Sequence, residues 1–343
     1  MRDSELKVRH NPSRRAMLGA ARAAAGAAPL APRAPLAQEQ MRCELVGAPA
    51  SKGPSVFLDY DQAGLDLAYD QRPWAPTLQQ IVGRYASNSD FVRQRIGAPR
   101  RIAYGASDVE KLDLYASARP QAPIMIFIHG GAWRTGSAKA SAGPAEMFVR
   151  AGAHYVAPDF TSVEGAGGNL FPMAEQVRRA IAWVCKNAAS FGGDARRVYI
   201  SGHSSGAHLG GCALITDWQK DFGLPADAVK GAVLVSGMYD LKAPRLSARS
   251  NYVKFTDEME QALSAQRHLA GITAPVIVAY TALDTPDFQR QSRDFAAAMK
   301  LAGKPVELIR GQGYNHFDFI ETLGNPYGVL GSAALAQMKL APA

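Results

Sequence analysis

A chain of 343 residues, 47% hydrophobic and 20% charged, carries enough apolar material for one large core. No apolar run reaches the roughly 20 residues that a transmembrane helix needs, so a membrane span is not expected. The net charge of +8 is concentrated at the start: residues 1–37 hold seven Lys/Arg against two Asp/Glu, leaving 31 against 28 elsewhere. A remainder so weakly basic argues against a nucleic-acid surface.

In chain order, the first segment reads as an export signal. Ser13-Arg14-Arg15-Ala16-Met17-Leu18 is similar to a bacterial twin-arginine signal, an Ala/Gly-rich stretch follows, and Pro35-Leu36-Ala37 before Gln38 suits cleavage. Residues 1–37 are therefore expected to be a signal, and 38–343 a single folded domain in the periplasm or secreted. Arg22 interrupts the apolar stretch, and the alternative is a basic tail on a cytoplasmic protein. From Leu58 to Ile96 the pattern is helical, broken at Pro73 and Pro76. Two short strands follow, Ile102–Tyr104 and Leu112–Tyr115, joined by a turn through Gly105–Asp108.

Ile124–Ile128 is a continuous apolar run, as expected of a strand buried on both faces. Similar runs recur at Tyr155–Ala157, Val198–Ser201, Ala232–Val235, Val276–Tyr280 and Val306–Ile309. Helical stretches lie between them, among them Glu175–Lys186, Ala207–Ile215 and Gln289–Leu301. This alternation predicts an α/β fold: a mostly parallel, twisted sheet with helices on both faces. Sites in such sheets form beyond the carboxyl ends of the strands, and the chemical motifs fall there.

Gly202-His203-Ser204-Ser205-Gly206 matches G-x-S-x-G directly after one strand and before an Ala/Leu-rich helix. A nucleophile on so sharp a turn needs glycines on either side, where side chains would collide with neighbouring elements. Ser204 is the expected nucleophile, placed at a helix N-terminus that favours developing negative charge. His129-Gly130-Gly131-Ala132-Trp133 resembles the segment that supplies oxyanion donors, so the N–H groups of Gly130, Gly131 and Ser205 are expected to hold an oxyanion. Trp133 either lines the pocket or is buried under this loop; Tyr60 and Tyr252 are further candidates for shaping specificity. The base is expected after the last strand, which selects His316 over the chain's other histidines. The acid should follow the strand Pro275–Tyr280. Asp284 and Asp287 both satisfy that order, and Asp240 is a third candidate. Cys43, Cys185 and Cys212 lack metal-ligand spacing. Cys185 and Cys212 fall on helical patterns and read as buried thiols, with a disulfide between them left open.

With these residues placed, the chain resembles the arylformamidase (kynurenine formamidase) family of HGG-type esterases and lipases. The resemblance runs from about Tyr104 to Leu323. It rests on Glu110-Lys111-Leu112-Asp113-Leu114-Tyr115, His129 to Trp133, Gly202 to Leu209, Thr216-Asp217-Trp218, Val235 to Leu241, Asp284-Thr285-Pro286-Asp287-Phe288-Gln289-Arg290-Gln291-Ser292 and His316-Phe317. It implies an α/β-hydrolase fold, Asp284 as the acid beside Ser204 and His316, and hydrolysis of N-formyl-kynurenine to kynurenine and formate. The alternative is a carboxylesterase on small acyl or aryl esters, using the same residues. Neither needs a cofactor or metal, and the expected partner is a small-molecule substrate; a homodimer is compatible with the sequence. Family members are usually cytosolic, so an export signal bears on the physiological substrate more than on the chemistry.

Overall fold

Eight segments pair into one sheet: β1 (Arg100–Ala103), β2 (Lys111–Tyr115), β3 (Ala122–Ile128), β4 (His154–Pro158), β5 (Gly193–His203), β6 (Ala232–Val235), β7 (Val276–Leu283) and β8 (Val306–Asn315). Their order across the sheet is β1-β2-β4-β3-β5-β6-β7-β8. The first two pairings are antiparallel and the other five parallel. The computed structural model describes residues 53–342, which fall within one compact unit, Lys52–Ala343. The expected signal at 1–37 lies outside the described residues.

The sequence explains which strands sit centrally. All seven residues of β3 and all four of β6 are buried. Alternate side chains divide between two cores: Ile124, Ile126 and Ile128 enter one, while Met125 and Phe127 enter the other. A period of two sends successive side chains to opposite faces, so a strand covered on both sides must be apolar throughout. Ten helices of the described residues flank the sheet or its loops: α1 (Gln62–Leu67), α2 (Leu78–Ile96), α3 (Ala145–Arg150), α4 (Phe171–Asn187), α5 (Ser205–Leu214), α6 (Trp218–Phe222), α7 (Lys242–Leu246), α8 (Asp257–Ala262), α9 (Pro286–Leu301) and α10 (Val329–Met338). Helices α4, α5 and α9 cover the first face; α3 and α10 cover the second.

The structure refines several boundaries. The helical stretch from Leu58 to Ile96 divides into α1, a 3-10 turn at Arg72–Trp74 that contains Pro73, and α2, with Pro76 in the break before α2. Helices α4 and α9 begin earlier than their periodicity suggests, because Pro172 and Pro286 occupy first-turn positions that need no N–H. β8 runs past Ile309 to Asn315. Its glycine-rich end pairs with β7 across an irregularity between Thr281 and Leu283, a feature that hydrophobic pattern does not encode. Cys185 and Cys212 are both free and buried, so no disulfide joins them.

Candidate active site

Ser204 stands between the last residue of β5 and the first of α5, with φ 56° and ψ −122°. Such a conformation is strained for a residue with a Cβ, and the packing around it holds the turn. Its N–H donates to the Val235 carbonyl at 2.8 Å. A Cβ on Gly202 would strike the Gly206 carbonyl, and one on Gly206 would strike the Ile128 carbonyl at the end of β3. Both glycines are thus required by close backbone approach.

Three more strand ends complete the arrangement. His316 follows β8 directly, and its Nδ1 lies 2.6 Å from Asp284 Oδ1, just beyond β7. The second carboxylate oxygen accepts from Ser236 Oγ at 2.6 Å and from the Thr281 N–H at 2.8 Å. Ser236 itself follows β6 with φ 50°. Asp284 is fully buried. Burial would raise its pKa, but the His316 ring, the Ser236 hydroxyl and the Thr281 N–H hold the carboxyl below the usual range. The loop carrying His316 is fixed by reciprocal turns: Asn315 Oδ1 accepts from the N–H groups of Phe317 (2.9 Å) and Asp318 (3.2 Å), and the Asn315 N–H donates to Asp318 Oδ1 (2.7 Å). Phe288 and Phe317 pack edge-on against the His316 ring.

The other candidate acids are engaged elsewhere. Asp287, fully buried, accepts from Tyr69 Oη at 2.5 Å and pairs with Arg290 Nε at 2.7 Å. Asp240 pairs with Arg267 at 2.9 Å and caps the Lys242 N–H at 2.8 Å. The structure therefore brings Asp284 alone of the three to His316.

Gly130 and Gly131 lie on the loop after β3. A Cβ on Gly130 would approach the His203 carbonyl oxygen to 2.8 Å and Ser204 Cβ to 3.2 Å, so this loop runs directly beside the nucleophile turn. Among the described residues, the N–H groups of Gly130, Gly131 and Ser205 donate to no protein acceptor. The loop is fastened from below. The Trp133 N–H donates to Ser205 Oγ at 3.1 Å, and the indole N–H donates to His208 Nδ1 at 3.1 Å. Trp133 is only 2% exposed and is not part of the cavity wall. It is a loop anchor rather than a pocket residue, which corrects one of its two expected placements. Tyr252 does line the cavity, whereas Tyr60 does not.

Ser204, His316, Gly130 and Gly131 open on one cavity of about 1600 Å³. Among the described residues, neither Ser204 Oγ nor His316 Nε2 makes a hydrogen bond. Contacts of this kind are often long before substrate binds. Helix α2 supplies an apolar wall through Leu78, Val82, Tyr85 and Phe91. Beside the site, His203 Nε2 donates to the His316 carbonyl at 2.8 Å, and burial together with the neighbouring His316 lowers its pKa to about 3. His208 Nε2 donates to the Leu263 carbonyl at 3.0 Å, and burial lowers its pKa to about 4. Both rings are neutral, hydrogen-bonded supports. Sequence reasoning missed the roles of Ser236, His203 and His208; the only signal was their presence in the motif blocks around Ser204 and after β6.

A nucleophile turn after β5, an acid after β7 and a histidine after β8 define an α/β-hydrolase of the serine type. The BD-FAE family profile matches residues 112–295. The kynurenine formamidase of Danio rerio is 32% identical over 273 residues, covering 76% of this chain and 90% of that protein. That of Salmo salar is 34% identical over 231 residues, covering 65% of this chain and 76% of that protein. The structure of EstE1, a carboxylesterase cloned from a metagenomic library, superposes with a TM-score of 0.60 at 18% identity, covering 76% of this chain and 95% of that one. The chain belongs to the BD-FAE family of α/β-hydrolases and is a serine hydrolase-family enzyme.

Proposed function

We propose that this enzyme removes a formyl or small acyl group from an aryl amide in the manner of an arylformamidase, with N-formyl-kynurenine as the model substrate. The observation that carries the chemistry is the buried Asp284–His316 pair at 2.6 Å, opening on the same cavity as Ser204. The likeness to two kynurenine formamidases supports the substrate class, and the apolar wall from α2 suits an aromatic ring.

His316 Nε2 takes the Ser204 proton as the oxygen attacks the carbonyl carbon. The carbonyl π-electrons move to oxygen, and the N–H groups of Gly130, Gly131 and Ser205 donate hydrogen bonds to the resulting oxyanion. Asp284 holds Nδ1–H and stabilises the imidazolium. The intermediate collapses, the C–N bond breaks, and His316 gives its proton to the departing aryl amine. Water then attacks the acyl-serine with His316 again as base, releasing formate and restoring Ser204.

A carboxylesterase would use the same residues on an ester carbonyl. Comparing kcat/KM for N-formyl-kynurenine and a short aryl ester separates the two. We expect comparable values or a preference for the amide; an ester preference above about 100-fold, worth about 2.7 kcal/mol of transition-state binding, overturns the amidase reading. Ser204→Ala should abolish both activities. The N-terminal segment is proposed to direct twin-arginine export; replacing Arg14 and Arg15 by Lys should retain the full-length chain in the cytoplasm of a bacterial host, and unchanged export refutes it.

A further inference from the structure

One cation in the cavity wall is not accounted for by the reaction. Arg249 is 7% exposed and lines the same cavity as Ser204. Its NH1 donates to Tyr252 Oη at 2.5 Å. Its guanidinium lies over the Tyr69 ring at 5.6 Å and the Trp133 ring at 5.4 Å. Its Nε is buried and has no hydrogen-bond partner, and among the described residues Arg249 forms no ion pair with a carboxylate. A buried donor without an acceptor is costly, more so when charged, and an acceptor brought by a ligand would remove that cost here.

The surroundings fix the sign of that ligand. The carboxylates nearest this rim are already engaged: Asp70 pairs with Arg72 at 2.7 Å, and Asp66 accepts from the Ala248 N–H at 2.6 Å and from Gln62 at 2.9 Å. Arg134, over the Tyr252 ring at 4.8 Å, is held by Glu164. Among the described residues, Arg249 is therefore the cation of this wall without an ion pair, its charge reaching Asp70 only through space. Its aromatic neighbours lie against the guanidinium; a guanidinium matches a carboxylate with two parallel hydrogen bonds. Position matters as well. Trp133, on which Arg249 lies, is bonded through its backbone to Ser205, next to the nucleophile. The cation thus sits one aromatic ring away from the oxyanion loop.

We propose that Arg249 is the specificity residue of this site and receives a carboxylate on the substrate, remote from the bond that is cleaved. The enzyme selects anionic substrates: an aryl amide or ester with a free carboxylate on its side arm. The inference rests on the site being the hydrolytic one read above, but not on amide cleavage.

The test uses two aryl acetate esters that differ only in whether a side-arm carboxylate is free or capped as a primary amide. The wild-type enzyme should favour the free acid in kcat/KM by at least about 30-fold, and Arg249→Gln should bring that ratio to within about threefold of one, whatever loss is common to both esters. Arg249→Lys should keep an intermediate ratio, since a point charge replaces a two-pronged donor. As a check that needs no variant, the free side-arm acid without its ester should inhibit wild-type turnover of the capped ester at least about tenfold better than its amide. A wild-type ratio near one, or a ratio unchanged in Arg249→Gln, overturns the proposal. Because both probes are esters, a failed amidase assay and a failed anion preference remain distinguishable.

Discussion

Replacing Asp284 by Asn tests the site at its most constrained atom. The two carboxylate oxygens have different partners, and only one of them tolerates an amide nitrogen. Oδ2 accepts from both the Ser236 hydroxyl and the Thr281 N–H. The hydroxyl could turn and accept instead, but the backbone N–H cannot, so an NH2 group there would face a donor at 2.8 Å. The amide nitrogen is therefore driven to the Oδ1 position, 2.6 Å from His316 Nδ1. There it forces the imidazole to accept at Nδ1 and to carry its proton on Nε2, the nitrogen that must take the Ser204 proton. The wrong tautomer in a geometrically intact triad lowers kcat by about 10⁴, or about 5.4 kcal/mol. Asp287→Asn is the matched control. It weakens the pair with Arg290 and the bond from Tyr69, at a cost of about 1–3 kcal/mol in stability, but kcat of the folded enzyme stays within about tenfold. Turnover of an aryl acetate, with urea melts of each variant, reads both quantities. A folded Asp284→Asn enzyme with near-normal kcat, beside an inactive Asp287→Asn, refutes the reasoning.

Gly130→Ala should lower kcat by about 10²–10³, because its Cβ would press on the His203 carbonyl and Ser204 Cβ and move the oxyanion loop; active-site titration checks that the protein folds. Trp133→Phe should cost about 1–3 kcal/mol of unfolding free energy by orphaning His208 Nδ1, with a much smaller change in KM, since the indole lies off the cavity wall. Stability should also fall as pH drops from about 6.5 towards 4. His208 titrates at about 4 when folded because burial disfavours its charged form, but at about 6.5 when unfolded, so in this window the unfolded chain takes up a proton that the folded chain refuses. His208→Gln, which keeps an acceptor and a donor, should flatten part of that slope in a series of urea melts; an unchanged slope contradicts the assignment.

Sequence pattern disclosed the interior of this fold better than its edges. Ile124–Ile128 and Ala232–Val235 read as strands because burial on both faces leaves no room for polar residues. The end of β8, Arg310-Gly311-Gln312-Gly313-Tyr314-Asn315, has no such pattern; it is a strand because β7 offers it hydrogen bonds. At the site, motif order placed Ser204 and His316, but Asp284 and Asp287 both fit the spacing and both are fully buried. What separates them is direction: one points to the histidine, the other to Tyr69 and Arg290. Family resemblance, not spacing, favours Asp284, the carboxylate that lies beside His316. Trp133 was undecidable for the same reason, since its fate depends on His208 and Ser205 lying beneath it. Arg249 gave no sequence signal, because its two rings come from distant parts of the chain.

Among the described residues, the strand preceding His316 has a neighbour on one side only. Fraying starts where pairing is incomplete, so the proton acceptor follows one of the two edges of the sheet, where loosening is expected early. Catalytic competence should then disappear at a lower urea concentration than the far-ultraviolet signal of the helices, making hydrolysis itself an early reporter of marginal unfolding.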